Sequence, residues 1–391
     1  MIRILFDLIT LQDRVINGGM LYTQKIFNEL LEVEQAEIEL YGLYDGKMPI
    51  EGKIYEEIKK YNIGVINIRD KFWRETIKTL NITLLFIGIA QRYNLFDLSG
   101  LKCKIYIVCH DLVDLSLKYF NIEKNRQIKC FLDENVIVKT TYIKRFLKFV
   151  FRHILSIRTL YKKKYFYNNF ARLIQQDNVY VITDSEYSKA SILYFFGVPK
   201  NKIQVLYPPL VYEGFSDLDI SSNVQSIVDG KKYFLLLSVD RFSKNLAVFL
   251  EQWENFCIAT KNQYFCVLVG SVRTKLKNCI ILHHVNSNEL GYLYKNAFAL
   301  VYPSFIEGFG FPPIEAAAYA TPSICSNVTS IPEICGDMSI YFSPFYPEDL
   351  YRSMLLMCEN REHYVLKAKK RYKIIKDRQD NDLVKLLKLL V

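Results

Sequence analysis

The sequence predicts an α/β protein of two successive halves, each a parallel sheet wrapped by helices, facing each other across a cleft. Three observations carry this. Short apolar runs suited to buried parallel strands alternate with helix-periodic stretches along most of the chain. A strand–glycine–helix order occurs once in each half, over Ile2–Leu31 and again over Ala297–Ala320. The 391 residues suffice for two domains of ordinary size, and a polar stretch, Ser216–Gly230, follows Pro208-Pro209 as the expected connection. The expected domains are 1–209 and 210–375, with a C-terminal helix, 376–391, packing back on the first.

Ile2–Phe6 reads as the first buried strand. Asn17, Gly18 and Gly19 form its exit loop, and Leu21–Leu31 is a helix with Leu21, Ile26, Leu30 and Leu31 roughly on one side. Strand-like runs recur at Ile38–Tyr41, Ile63–Ile66 and Leu84–Ile87. Ile105–Cys109 ends at His110-Asp111, which places a histidine at the mouth of a sheet, where open α/β folds bind ligands. Val179–Ile182 leads into Thr183-Asp184-Ser185-Glu186, a helix start rich in capping oxygens, and Gly197 ends that helix.

Charge is unevenly spread. The chain carries a net +10, and the segment 135–176 holds ten lysines and arginines with no acidic residue, interleaved with aromatics such as Tyr142, Phe146 and Tyr165. Over 139–172 such a pattern suits an anionic membrane surface. A solvated helix with a buried aromatic face is the plain alternative, and nucleic acid is the less favoured partner.

In the second half Phe234–Val239 is a strand whose exit loop carries Arg241 and Lys244. Leu246–Phe256 is a helix, Phe265–Val269 a strand and Glu289–Asn296 a helix. Ala297–Tyr302 is a strand, followed by Glu307–Glu315 (EGFGFPPIE). Gly308 and Gly310 let backbone approach a ligand, and the helix behind them presents a positive end suited to phosphate. Pro312 and Pro313 sit where a first helical turn tolerates a missing N–H. Ser323–Cys325, Ser330–Glu333, Leu350–Met357 and a charged helical tail close the chain.

Other classes find no support. The nine cysteines form no C-x-x-C pair and read as core residues in a reducing compartment. Asp7 interrupts the N-terminal apolar run before a signal peptide can form, and no stretch is apolar long enough to span a bilayer. A cytoplasmic protein is expected. Asp217-Leu218-Asp219 and Asp380-Asn381-Asp382 are formally D-x-D pairs, but they lie in a connection and a tail, so no metal is expected.

Taken together these residues resemble the retaining GT-B glycosyltransferases of family 4. Glu307 and Glu315 match its E-x7-E pattern, Thr321–Asp337 its second donor loop, Val181–Pro209 its crossover, Val108–Leu112 its histidine-bearing strand end and Gly18-Gly19 its N-terminal loop. The resemblance implies two Rossmann-like domains and transfer of a mannose-, glucose- or rhamnose-type hexose from a nucleotide diphosphate sugar to a glycan or lipid-linked acceptor, and the basic aromatic segment points to such an acceptor at the inner membrane face, in capsule or O-antigen assembly. It implies that Glu307 contacts the sugar and Glu315 the ribose. Arg241 and Lys244 would neutralise the diphosphate. Gly308, Phe309, Gly310 and Phe311 would line the donor, with N–H groups from the last two. His110 would face the sugar, and Gly18 and Gly19 would leave room for the diphosphate; no metal cofactor is implied. Three positions depart from the family pattern: the short Arg241–Lys244 spacing, Ala320 where glycine is usual, and Asp240 where a small residue is common. An epimerase or phosphorylase of the same architecture, or an inactive scaffold, are the alternatives.

Overall fold

A computed structural model describes residues 2–12, 17–33, 37–50, 52–93, 96–112, 167–210, 222–272 and 274–391. They fall into two compact units. Of the described residues, unit 1 comprises those in 2–111, 167–210 and 379–391, and unit 2 comprises Leu112 and those in 222–378. Asp217-Leu218-Asp219 and most of the basic aromatic segment lie outside the described residues. Among the described residues no helix is long and apolar enough to cross a membrane.

Unit 1 holds a seven-stranded sheet of β1 (Ile2–Asp7), β2 (Ile38–Tyr44), β3 (Gly64–Asn67), β4 (Leu84–Ile87), β5 (Lys104–Val108), β6 (Val179–Thr183) and β7 (Ile203–Val205). Its order is β3-β2-β1-β4-β5-β6-β7, and every pairing is parallel. Helices cover it, so β4 is buried along its whole length. Phe6 stacks on Phe86 and tilts against Phe27, both at 5.2 Å, to make the centre of the core. Leu386 and Leu390, from the end of the chain, are fully buried in the same cluster. They are held there by Asp382, which accepts from the Tyr207 N–H at 3.0 Å and from Lys385 at 2.8 Å, and by Gln379, which donates to the Pro208 carbonyl at 2.5 Å.

Unit 2 holds a six-stranded sheet of β8 (Tyr233–Leu237), β9 (Phe265–Val269), β10 (Cys279–Leu282), β11 (Ala299–Tyr302), β12 (Ser323–Ser326) and β13 (Ser339–Phe342). The order is β10-β9-β8-β11-β12-β13, again all parallel. Phe234 meets Trp253, Phe256 and Phe298 edge to face at the start of β8, Trp253 stacks on Phe256, and the buried Trp253 indole donates to the Lys277 carbonyl at 3.0 Å.

Two local differences from the sequence reading have physical causes, and two expected features gain detail. Gly18 and Gly19 are not an exit loop but the first turn of the helix Gly18–Leu31, because the Asn17 side chain accepts from the Met20 N–H at 3.0 Å and starts the helix early. The connection Ser216–Gly230 contains a helix, Ser222–Val228, anchored by buried Val224 and Val228 one turn apart. The last two helical stretches, as expected, are two helices: the span Pro347–Leu390 is kinked at Asn360, whose backbone is non-helical. Ala320 stands where left-handed backbone is needed: its φ is +62°, its N–H reaches Ala317 O at 2.9 Å and the Thr321 N–H reaches Ala316 O at 3.0 Å. That is a Schellman ending with alanine in the glycine position. Ala320→Gly should therefore raise Tm by about 1–3 °C in a thermal melt, the left-handed cost of about 1–2 kcal/mol being only partly offset by glycine's greater freedom in the unfolded chain. An unchanged or lower Tm would show that the turn is not strained.

Candidate functional site

In an open parallel sheet, ligands collect outside the strand ends where the strand order reverses. In unit 2 that point lies between β8 and β11, and their two exit loops carry Lys244 and Glu307. The loops are tied by the Phe305 N–H, which donates to Ser243 O at 2.8 Å. Asn245 adopts left-handed backbone, φ +50°, and its buried amide donates to Pro344 O at 3.2 Å, which turns the chain just past Lys244.

Lys244 Nζ lies 2.6 Å from Glu307 Oε1 and 3.0 Å from the Tyr302 hydroxyl, above whose ring it sits at 4.6 Å. The two charged side chains are 13% and 16% exposed, so the pair is shielded yet reachable. Burial and the Glu307 charge push the Tyr302 phenol well up, so it stays neutral. The glycine loop is bolted from behind. Ser330, fully buried, donates to the carbonyls of Glu307 at 3.0 Å and Phe309 at 2.9 Å, while the Glu307 N–H reaches Thr329 Oγ1 at 3.1 Å. Gly308, Phe309 and Gly310 are all buried, and Gly310 has φ +104° ahead of the helix Phe311–Ala318. Pro312 and Pro313 remove two leading donors, so that helix end offers the N–H of Phe311 first and then that of Ile314.

Glu315, in the first turns of this helix, accepts from the Tyr294 hydroxyl at 2.6 Å. Burial raises its pKa, against the pull of that hydrogen bond and of the Lys244 charge. Tyr294 stacks on Tyr319 with ring centroids 6.1 Å apart, and with Ser287, Leu290 and Gly291 they form a recess around the carboxylate. The structure thus brings Lys244, Glu307 and Glu315 into one electrostatic group. Arg241 does not join it. Its side chain is exposed on a separate recess with Phe242, Asn245 and Phe305.

In unit 1 the strand order reverses at β1 and β4, and the exits of β4, β5 and β6 meet there. His110, past β5, has Nδ1 at 2.8 Å from Asp184 Oδ2 and Nε2 at 3.1 Å from Gly88 O, with the Tyr22 ring edge-on at 5.2 Å. Burial opposes its charge, but the Asp184 carboxylate, with help from Asp111 and the Gly88 carbonyl, outweighs this and raises the imidazole pKa. Gly19 is close by: a Cβ there would fall 2.6 Å from Ile89 Cδ1 and 3.2 Å from His110 Nε2. Behind them Asp7, fully buried, accepts from Tyr93 OH at 2.7 Å and from the N–H groups of Thr10 and Gly88 at 3.0 Å.

Sequence reading does not single out Tyr294, Tyr302 or Ser330, whose role is visible only once strands far apart in sequence are paired. Asp184 reads as one of several capping oxygens. In the structure Ser185 is the cap, accepting from the Ser188 N–H at 3.1 Å, and Asp184 serves His110. Among the described residues no three His, Cys, Asp or Glu side chains are grouped to hold a metal ion.

Comparison with known proteins adds three findings. Residues 219–376 match the family described as "Glycosyl transferases group 1". The O-antigen chain mannosyltransferase RfbU of Salmonella typhimurium is 33% identical over 174 residues, which span 42% of this chain and 47% of that protein. The O-antigen chain mannosyltransferase B of Escherichia coli is 29% identical over 184 residues, with the same shares. The chain thus spans about half the length of the curated relatives it matches. Among solved structures, Anabaena Alr3699/HepE in complex with UDP and glucose aligns with a TM-score of 0.66 at 13% identity, over 100% of this chain and 99% of that one. WaaG, a glycosyltransferase involved in lipopolysaccharide biosynthesis, aligns with a TM-score of 0.59 at 12% identity over 98% of each chain. The fold is therefore the two-domain GT-B architecture.

Proposed function

We propose that this protein is a glycosyltransferase that moves a hexose from a nucleotide diphosphate sugar to a glycan or lipid-linked glycan acceptor in bacterial surface polysaccharide synthesis, with retention at the anomeric carbon. The observation that carries the reading is the shielded Lys244–Glu307 pair at the strand-order reversal of unit 2, with Glu315 within reach of the same charge. The mannosyltransferase relatives favour a mannose-type sugar.

In this reading Lys244, the cation beside Glu307, meets the charge that grows on the departing diphosphate. The N–H groups of Gly310 and Phe311 add to it at the helix end. Glu307 orients the sugar, and Glu315 with Tyr294 takes the ribose hydroxyls. Arg241, exposed on its own recess three residues before Lys244, is the second cation offered to the diphosphate. His110, Gly18 and Gly19 serve the sugar and diphosphate from unit 1. The chemistry assigns no metal. The basic aromatic residues over 139–172 would hold the enzyme on the anionic inner face of a membrane that carries the acceptor.

One assay tests the whole. The protein is incubated with GDP-, UDP-, dTDP- or ADP-linked hexoses and with neutral or anionic vesicles carrying a polyprenyl-diphosphate glycan acceptor, and product linkage is read by NMR. We expect one donor to be consumed, faster on anionic vesicles, with the donor's anomeric configuration kept. Isomerisation of the donor without acceptor, an inverted product, or no binding of any nucleotide at millimolar concentration would each overturn the corresponding part.

A further inference from the structure

Both groups that meet the His110 ring are acceptors: a carboxylate oxygen of Asp184 at Nδ1 and the carbonyl oxygen of Gly88 at Nε2. A neutral imidazole has only one N–H and could satisfy only one of them; the imidazolium satisfies both. The carbonyl cannot change its role, and Asp184 is 3% exposed, with its carboxylate aimed at the ring. Gly88 is itself fixed, since its N–H donates to buried Asp7. We propose that Asp184 is a positioning residue that, with the Gly88 carbonyl, holds His110 as a fixed imidazolium, a cation with no lone pair to accept a proton.

The other groups facing the ring fit this. Tyr22, on the helix Gly18–Leu31, is kept neutral by burial and the Asp184 charge, and Cys109 is likewise pushed up by burial. Asp111, on the same segment as His110, adds negative charge. Gly19 packs so closely on this edge that a Cβ there would fall 2.6 Å from Ile89 Cδ1 and 3.2 Å from His110 Nε2, so the Nε2 edge is closed by the protein and its N–H stays with the Gly88 carbonyl. With both N–H groups engaged, the ring acts on a bound sugar nucleotide through its charge and not as a hydrogen-bond donor.

The consequence for chemistry rests on the transferase reading. A histidine without a lone pair cannot deprotonate the acceptor hydroxyl. As the bond from the anomeric carbon to the phosphate oxygen breaks and the bond to the acceptor oxygen forms, the acceptor's proton then passes to the departing phosphate.

The test separates the two levels. The full chain is labelled with 15N-histidine and titrated by NMR, His110 being identified by its loss in His110→Gln. In the wild type both ring nitrogens should read as protonated through neutral pH. In Asp184→Asn the midpoint should fall by roughly 1–3 pH units, as expected on losing a carboxylate at this distance, and Asp184→Glu should restore most of it. A wild-type ring with one unprotonated nitrogen at pH 7, or a midpoint that Asp184→Asn does not move, overturns the proposal whether or not any sugar is transferred. Should Asp184→Asn fail to fold, the wild-type spectrum and the Asp184→Glu titration decide. Where transfer is measured, Asp184→Asn should lower kcat at neutral pH and regain it on acidification. A fall in activity that pH does not alter would mark Asp184 as merely structural.

Discussion

Lys244→Ala should lower sugar transfer by about 10²–10³-fold, the loss expected when one preorganised charge that faces a leaving group is removed from a shielded site. The effect should fall on kcat, because the charge that Lys244 meets is larger in the transition state than in the bound donor. The same change strips Glu307 of its 2.6 Å partner and Tyr302 of a 3.0 Å donor, so stability should drop as well, by about 1–3 kcal/mol. A thermal melt beside the kinetic assay separates the two. In the double variant Lys244→Ala with Glu307→Gln, part of the stability should return, because no unpaired carboxylate is left behind, while activity should stay lost. A double variant as unstable as the single would mean that the pair's geometry matters less than Lys244's own packing over Tyr302.

The second large effect is expected at Glu315, where stability and binding should move in opposite directions. Its carboxyl is held above the ordinary range by burial. For a carboxyl with a raised folded pKa the unfolded chain ionises first, so the group's contribution is favourable at pH values below the unfolded pKa and is lost as pH rises through the folded one. At neutral pH it is thus a cost in the empty protein. Glu315→Gln keeps an acceptor for the Tyr294 hydroxyl and removes that cost. The ligand-free variant should melt higher than wild type at pH 7–8, and the gap should close as the pH falls towards 4. Nucleotide affinity should fall by about 10–100-fold, the weight of a hydrogen bond to a charged acceptor. A ligand-free Tm that does not rise, or an unchanged affinity, would remove Glu315 from the donor site.

Much of this arrangement is legible in the sequence because its parts are local. The apolar runs, the glycine pattern Gly308–Gly310 and the prolines at the helix start each carry their structure within a few neighbours, and the polar residues left at strand ends mark the mouth of the sheet. What is not legible depends on where a side chain turns. Arg241 and Lys244 look like partners at three residues' spacing, but Lys244 pairs with Glu307 while Arg241 is exposed on a recess with Phe242 and Phe305. Asp184 looks like a helix cap because capping and long-range pairing use the same atoms, and its partner lies 74 residues away. Tyr294 and Glu315 are joined across 21 residues by a bond that no periodicity announces. The helix Ser222–Val228 is masked by its polar composition, since only two valines commit it to the interior.

The burial of Leu386 and Leu390 among Phe6, Phe27 and Phe86 bears on how the chain is made. A nascent chain emerges from its N-terminus, and domains ordinarily complete themselves in that order. Here the strands that come first lack part of their apolar lining until residues 379–391 have followed, while the strands of the second sheet all lie within 233–342. The half translated first is therefore finished last, and until then it exposes an apolar surface that a chaperone or an aggregating neighbour could bind.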